Sequence, residues 1–89
     1  MKYRSRTEIV HQILQVSKEE GNDGAVKTKI MYKAFLSYAQ LREYLTVMTD
    51  NDLLQFESDT QRFRITEKGL RFMDIYDRIG MVMEQQQQQ

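Results

Sequence analysis

Ser37 and Gln40 have the spacing of a capping box, in which each side chain satisfies a free backbone N–H at the first turn of a helix. The box falls directly after Ile30, Met31, Ala34, Phe35 and Leu36, whose apolar positions recur at helical spacing. One helix must therefore end and another begin with almost no chain between them. Two helices joined so tightly cross at a large angle, which is the helix-turn-helix arrangement, although the turn lacks the glycine often found there.

The surrounding sequence supplies the remaining elements. Ser5 with Glu8 is another capping box, and Ile9, Val10, Ile13, Leu14 and Val16 predict an amphipathic helix over residues 6–20. Gly21-Asn22-Asp23-Gly24 stops it, and Ala25 and Val26 can add a very short strand. Thr28 is the expected cap of a helix over residues 29–35, with Ile30, Met31, Ala34 and Phe35 facing inward and Lys29 and Lys33 sharing the outer face. The third helix runs from Ser37 to about Thr49. From residue 53 the period changes to two. Leu54 and Phe56, then Phe63 and Ile65, alternate with polar residues around the loop Ser58–Gln61, which predicts a β-hairpin that must pack on the helices. Thr66 caps a last helix to about Glu84, before the low-complexity tail Gln85–Gln89.

Helix, helix, helix, hairpin, helix is the order of a winged helix-turn-helix, a mainly helical α+β fold. The expected organisation is a winged-helix domain over residues 1–66, a dimerisation helix over 67–84 and the glutamine tail over 85–89. A chain of 89 residues supports one core. The absence of cysteine excludes disulfides and thiolate zinc sites. The start MKYRSRTE is not a signal peptide, and no apolar run reaches the length of a membrane span, so the expected location is cytoplasmic and nucleoid-associated. His11 has no carboxylate pair beside it in sequence, and there is no Gly-rich phosphate loop, HExxH or metal-spaced cluster. An enzyme, a cofactor, a metal and a small-molecule ligand are not expected.

Charge is balanced overall, thirteen basic against thirteen acidic residues, so any attraction for a polyanion must be local. Residues 27–42 hold Lys27, Lys29, Lys33 and Arg42 with no acid. Residues 2–6 carry Lys2, Arg4 and Arg6, and residues 61–71 carry Arg62, Arg64, Lys68 and Arg71 against Glu67. Acids collect in 43–59, as Glu43, Asp50, Asp52, Glu57 and Asp59. On a helical wheel Leu41, Leu45 and Met48, flanked by Tyr38 and Tyr44, define the buried face of the third helix. Ser37, Ala39, Gln40, Arg42, Glu43 and Thr46 are left for a groove. Arg42 can pair bidentately with guanine and Gln40 with adenine. Lys27, Lys29 and Lys33, with the N-terminal N–H groups of both helices, suit phosphate, and Arg62 and Arg64, two apart on one strand, can clamp backbone. Tyr32, Tyr38 and Tyr44 follow the apolar face and are expected to pack in the core and at its rim rather than to stack on bases. Glu43 and Asp59 oppose tight binding unless they find partners.

The segment KTKIMYKAFLSYAQLREYLTVMTDNDLL, residues 27–54, resembles archaeal winged-helix proteins in which a KT-[KR]-IMY segment, an LSY turn, a tyrosine-bearing third helix and a D-x-x-[IL]-[IL] strand start follow in order. Here these are Lys27 to Tyr32, Leu36 to Tyr38, Tyr44, and Asp50 to Leu54. ITEKGLRFMDIY, from Ile65, is similar to the same family's Thr-x-Lys-Gly start of the long last helix. The resemblance covers roughly residues 7–80 and implies a DNA-binding regulator or chromatin-associated protein, dimeric through its C-terminal helix. Relatives often carry a longer last helix in an antiparallel coiled coil.

The last helix has more apolar surface than a small core uses. Leu70, Met73 and Tyr76 form one strip, while Phe72, Ile75, Ile79 and Val82 recur at a 3, 4, 3 spacing that suits a helix-helix seam, with Met81 and Met83 adding apolar area. The expected dimer contacts are Phe72, Ile75, Tyr76, Ile79, Val82 and Met83. The partners read from sequence are double-stranded DNA and a second copy of the chain. A winged-helix module for protein contact is the alternative, favoured by the zero net charge.

Overall fold

The computed structural model describes the backbone of residues 4–87 and the side chains of residues 4–83. Its elements are α1 (Arg6–Glu19), β1 (Ala25–Val26), α2 (Lys27–Lys33), α3 (Tyr38–Asp50), β2 (Leu54–Glu57), β3 (Arg62–Ile65) and α4 (Glu67–Gln87). Helices dominate, and the strands form one antiparallel sheet in the order β1-β3-β2. The register pairs Leu54 with Ile65, Phe56 with Phe63, and Ala25 with Phe63. Directly opposed residues share a face, so these side chains turn toward the helices while Gln55, Glu57, Arg62 and Arg64 occupy the other side.

Both predicted capping boxes form. The Ser5 N–H donates to Glu8 Oε1 at 2.8 Å and the Glu8 N–H to Ser5 Oγ at 3.1 Å. At α3 the Ser37 N–H donates to Gln40 Oε1 at 3.0 Å and the Gln40 N–H to Ser37 Oγ at 3.2 Å. Thr28, in contrast, is not a cap. β1 runs straight into α2 through Val26, whose extended backbone (φ −75°, ψ 152°) occupies the cap position with no side-chain hydrogen bond, so the helix starts at Lys27.

The end of α2 also departs from expectation. The helix stops at Lys33, and Phe35 takes a left-handed backbone (φ 56°) while its N–H donates to the Tyr32 carbonyl at 3.3 Å. That conformation costs a bulky residue about 1 kcal/mol or more. It also swings the ring out of the helical register, so Phe35 is 79% exposed rather than inward. Tyr32 and Tyr38 are exposed as well, and of the three tyrosines expected to pack only Tyr44 is buried.

Ile13, Leu14, Ile30, Leu41, Met48 and Leu54 are almost wholly buried, each side chain contributing about 1.5–3 kcal/mol of apolar burial. Met73 of α4 belongs to the same core. The start of α4 is fastened to the end of α3. Thr66 Oγ1 accepts from the Gly69 N–H at 3.0 Å and its hydroxyl donates to the carbonyls of Asp52 and Leu53. Gly69 lies so close that a Cβ there would sit 2.5 Å from the Leu53 carbonyl oxygen. α4 runs on through Gln85–Gln87, so part of the glutamine tail continues the helix. Lys2, Gln88 and Gln89 fall outside the described residues.

Candidate nucleic-acid interface

The outer face of α3 follows from its cap and its core face. Once Leu41, Tyr44, Leu45 and Met48 turn inward, Ser37, Ala39, Gln40, Arg42, Glu43, Thr46 and Val47 must face solvent, and all of them do. Ala39, Arg42, Glu43, Thr46 and Val47 line one shallow depression. Arg42 holds its guanidinium 5.9 Å from the centre of the Tyr38 ring. Among the described residues Arg42 and Lys27 take part in no ion pair.

Two residues on this face are already engaged. Gln40 Oε1 accepts from the Ser37 N–H, which leaves its Nε2 to donate outward but commits part of the acceptor a bidentate adenine pair needs. Glu43 pairs with Arg6 of α1 at 3.6 Å, and the same guanidinium sits 5.0 Å from the centre of the Tyr44 ring. The acid that opposed binding in sequence thus has a cationic neighbour, one that sequence could not supply because the pair joins α1 to α3.

The other predicted phosphate contacts lie elsewhere. Lys29 Nζ meets Glu20 at 2.9 Å and Lys33 Nζ meets Glu19 at 3.7 Å, so both lysines face the end of α1. Arg62 donates to the Gly24 carbonyl at 3.1 Å. The Lys29 hydrogen bond, ahead of the charges of Lys29, Lys33 and Arg62, holds the Glu20 carboxyl below its ordinary value. Arg64 meets Glu57 at 2.8 Å and Gln55 at 3.3 Å across the hairpin. Of the basic residues predicted to contact DNA, the structure leaves Arg42 and Lys27 without an ion pair and gathers Lys29, Lys33 and Arg62 around Glu19 and Glu20. Arg4 is spent locally too, donating to the Ala34 and Phe35 carbonyls just past α2 and to Gln12 of α1.

The wing brings an unanticipated residue to the edge of α3. Phe56 packs on Phe63 with ring centroids 4.8 Å apart and planes tilted by 41°, yet remains 42% exposed. It lines one depression with Thr46 and Thr49 of α3 and another with Lys27, Thr28 and Gln61. Strand alternation gave its side but not its exposure, which depends on how far the hairpin reaches past the helices.

On α4 the predicted seam divides. Ile75, Ile79, Val82 and Met83 are exposed, together with Leu70 and Met81. Phe72 packs against the core and Tyr76 stacks on His11 at 4.3 Å, with His11 Nε2 3.1 Å from Asp77 Oδ1. Asp77 therefore pairs with His11, while Asp74 pairs with Arg78 at 3.1 Å. Among the described residues no cluster of three His, Cys, Asp or Glu could hold a metal ion. No helix there is long and apolar enough to cross a membrane.

Comparison with known proteins agrees with this architecture. No curated protein matches the chain. The crystal structure of Sso10a-2, a DNA-binding protein from Sulfolobus solfataricus, is similar with a TM-score of 0.77, covering 96% of this chain and 87% of that one. At 22% identity that likeness establishes a shared fold. A winged helix-turn-helix family model matches residues 3–84, nearly the whole chain, and with the three helices, capped tight turn and hairpin observed here the chain belongs to that family.

Proposed function

We propose that this protein binds double-stranded DNA as a homodimer, in the role of a transcriptional regulator or chromatin-associated factor. α3 lies in the major groove and the β2–β3 wing lies on the adjacent backbone. The observation that carries this reading is the outer face of α3, where Arg42 makes no ion pair among the described residues and the neighbouring Glu43 is held by Arg6. A guanidinium on an exposed helix beside a small residue, Ala39, and a hydroxyl, Thr46, suits base edges. Lys27 and the other exposed cations suit phosphates, and the likeness to a DNA-binding protein points the same way. Exposed Ile75, Ile79, Val82 and Met83 give α4 an apolar strip that a second copy would cover, with Phe72 and Tyr76 as the packed layer beneath it.

Two measurements test this. The logarithm of duplex affinity should fall linearly with the logarithm of salt concentration, with a slope of about 0.9 per phosphate neutralised. A protein-contact module of the same fold shows no such slope. Replacing Ile79 and Val82 together by Asp should turn the dimer into a monomer in light scattering. A persistent dimer would locate the interface away from α4.

A further inference from the structure

Tyr32, Phe35 and Tyr38 recur every three residues across the turn between α2 and α3, at 75%, 79% and 57% exposure. The first two are the most exposed large hydrophobic side chains among the described residues. Phe35 occupies a backbone at φ 56° where glycine would be unstrained, and that conformation directs its ring into water. Arg4 locks that backbone by donating to the Ala34 and Phe35 carbonyls at 2.5 and 2.9 Å. Tyr32 and Phe35 line one depression beside Val16 and Lys33, and Tyr38 carries Arg42 near its ring.

Exposed rings alone would suit any apolar partner, but the charge around them narrows the choice. Residues 27–42 contain Lys27, Lys29, Lys33 and Arg42 and no acid, and the acid at the edge of the depression, Glu19, is held by Lys33. Flat apolar faces set among cations are complementary to a polyanion that offers flat faces of its own. A duplex hides its base faces within the stack, whereas a single strand presents them.

We propose that the α2–α3 turn is a binding site for single-stranded nucleic acid. Tyr32 and Phe35 stack on successive bases, Tyr38 with Arg42 takes a further base, and Lys33 and Arg42 meet the intervening phosphates. The site overlaps the groove-facing part of α3 only at Arg42, and its Tyr32–Phe35 part stands whether or not the duplex reading holds.

The test titrates the full chain into a labelled oligothymidylate of about 12 nucleotides, and in parallel into a duplex. The chain has five tyrosines and no tryptophan, so stacking should quench tyrosine emission as the single strand binds. Phe35→Gly removes a ring at a backbone that glycine accepts, and Tyr32→Ser and Tyr38→Ser remove the others. Each should weaken single-strand binding by about 5- to 150-fold, and duplex binding should hold for the Phe35 and Tyr32 variants, which lie away from Arg42. Tyr32→Ser supplies the result if Phe35→Gly does not fold. Absence of single-strand binding by the wild type, unchanged binding by all three variants, or equal losses on single strand and duplex for Phe35→Gly and Tyr32→Ser would each overturn the proposal. So would a ring substitution that changes the solution mass and leaves oligonucleotide binding intact, since the patch would then be a protein contact. Loss of duplex binding alone counts against the proposed function and leaves this site standing.

Discussion

The outer face of α3 and the group formed by α2 with the wing both carry basic side chains, but they differ in what surrounds them. Arg42 has an aromatic ring for a neighbour and, among the described residues, no ion pair. Lys29 and Lys33 meet Glu20 and Glu19, Arg64 meets Glu57, and Arg62 is bound to a backbone carbonyl. A cation already paired must give up that partner before it can serve a phosphate, so the same formal charge delivers less attraction. Where acids fold against a basic stretch therefore decides how much of its charge is available.

This contrast can be broken by substitution. Arg42→Ala should have the largest effect, a loss of about 5- to 150-fold in duplex affinity concentrated at one base position, measured by anisotropy against a panel of duplexes. Arg64→Ala should do far less. Equal losses from the two would erase the distinction between free and paired arginines. Glu20→Gln sharpens the contrast from the other side. With its acid gone Lys29 is released, and the slope of log affinity against log salt should steepen by about 0.9. An unaltered slope would mean that Lys29 faces no phosphate. Arg6→Ala leaves Glu43 uncompensated on α3 and should weaken duplex binding by a few-fold, with Glu43→Gln in the same background restoring it.

The smallest effect is on stability. Because folding lowers the Glu20 pKa, its pairing stabilises the fold at pH above the ordinary carboxylate value of 4.5 and is lost as pH falls through the lower folded value. Thermal midpoints of wild type and Glu20→Gln should therefore converge in acid and separate slightly near neutrality. A gap that widened in acid would contradict the assigned direction.

What the sequence revealed and what it hid divide along the range of the interactions. Ser5 with Glu8 and Ser37 with Gln40 are satisfied within one helical turn, so their spacing alone located two helix starts. The alternation in β2 and β3 likewise fixed which residues turn to the core. Phe35 escaped because helical periodicity presumes the helix continues, and a left-handed residue two positions past its last turn reverses the direction of the side chain. The pairs Arg6–Glu43, Lys29–Glu20 and His11–Asp77 join separate elements and leave no local trace. On α4 the exposed Ile75 and Ile79 and the packed Phe72 and Tyr76 look alike in sequence, since only the position of α1 decides which of them is covered.

The Thr66–Gly69 joint carries a mechanical consequence. Its hydroxyl grips the Asp52 and Leu53 carbonyls just beyond α3, and its glycine lets α4 lie directly on Leu53, so the two helices leave a common pivot. In a dimer clasped through α4, the stride between the two α3 helices, which must approach about 34 Å to meet successive turns of a duplex, is set at that pivot, and a single methyl group added at Gly69 would change the gait of the whole assembly.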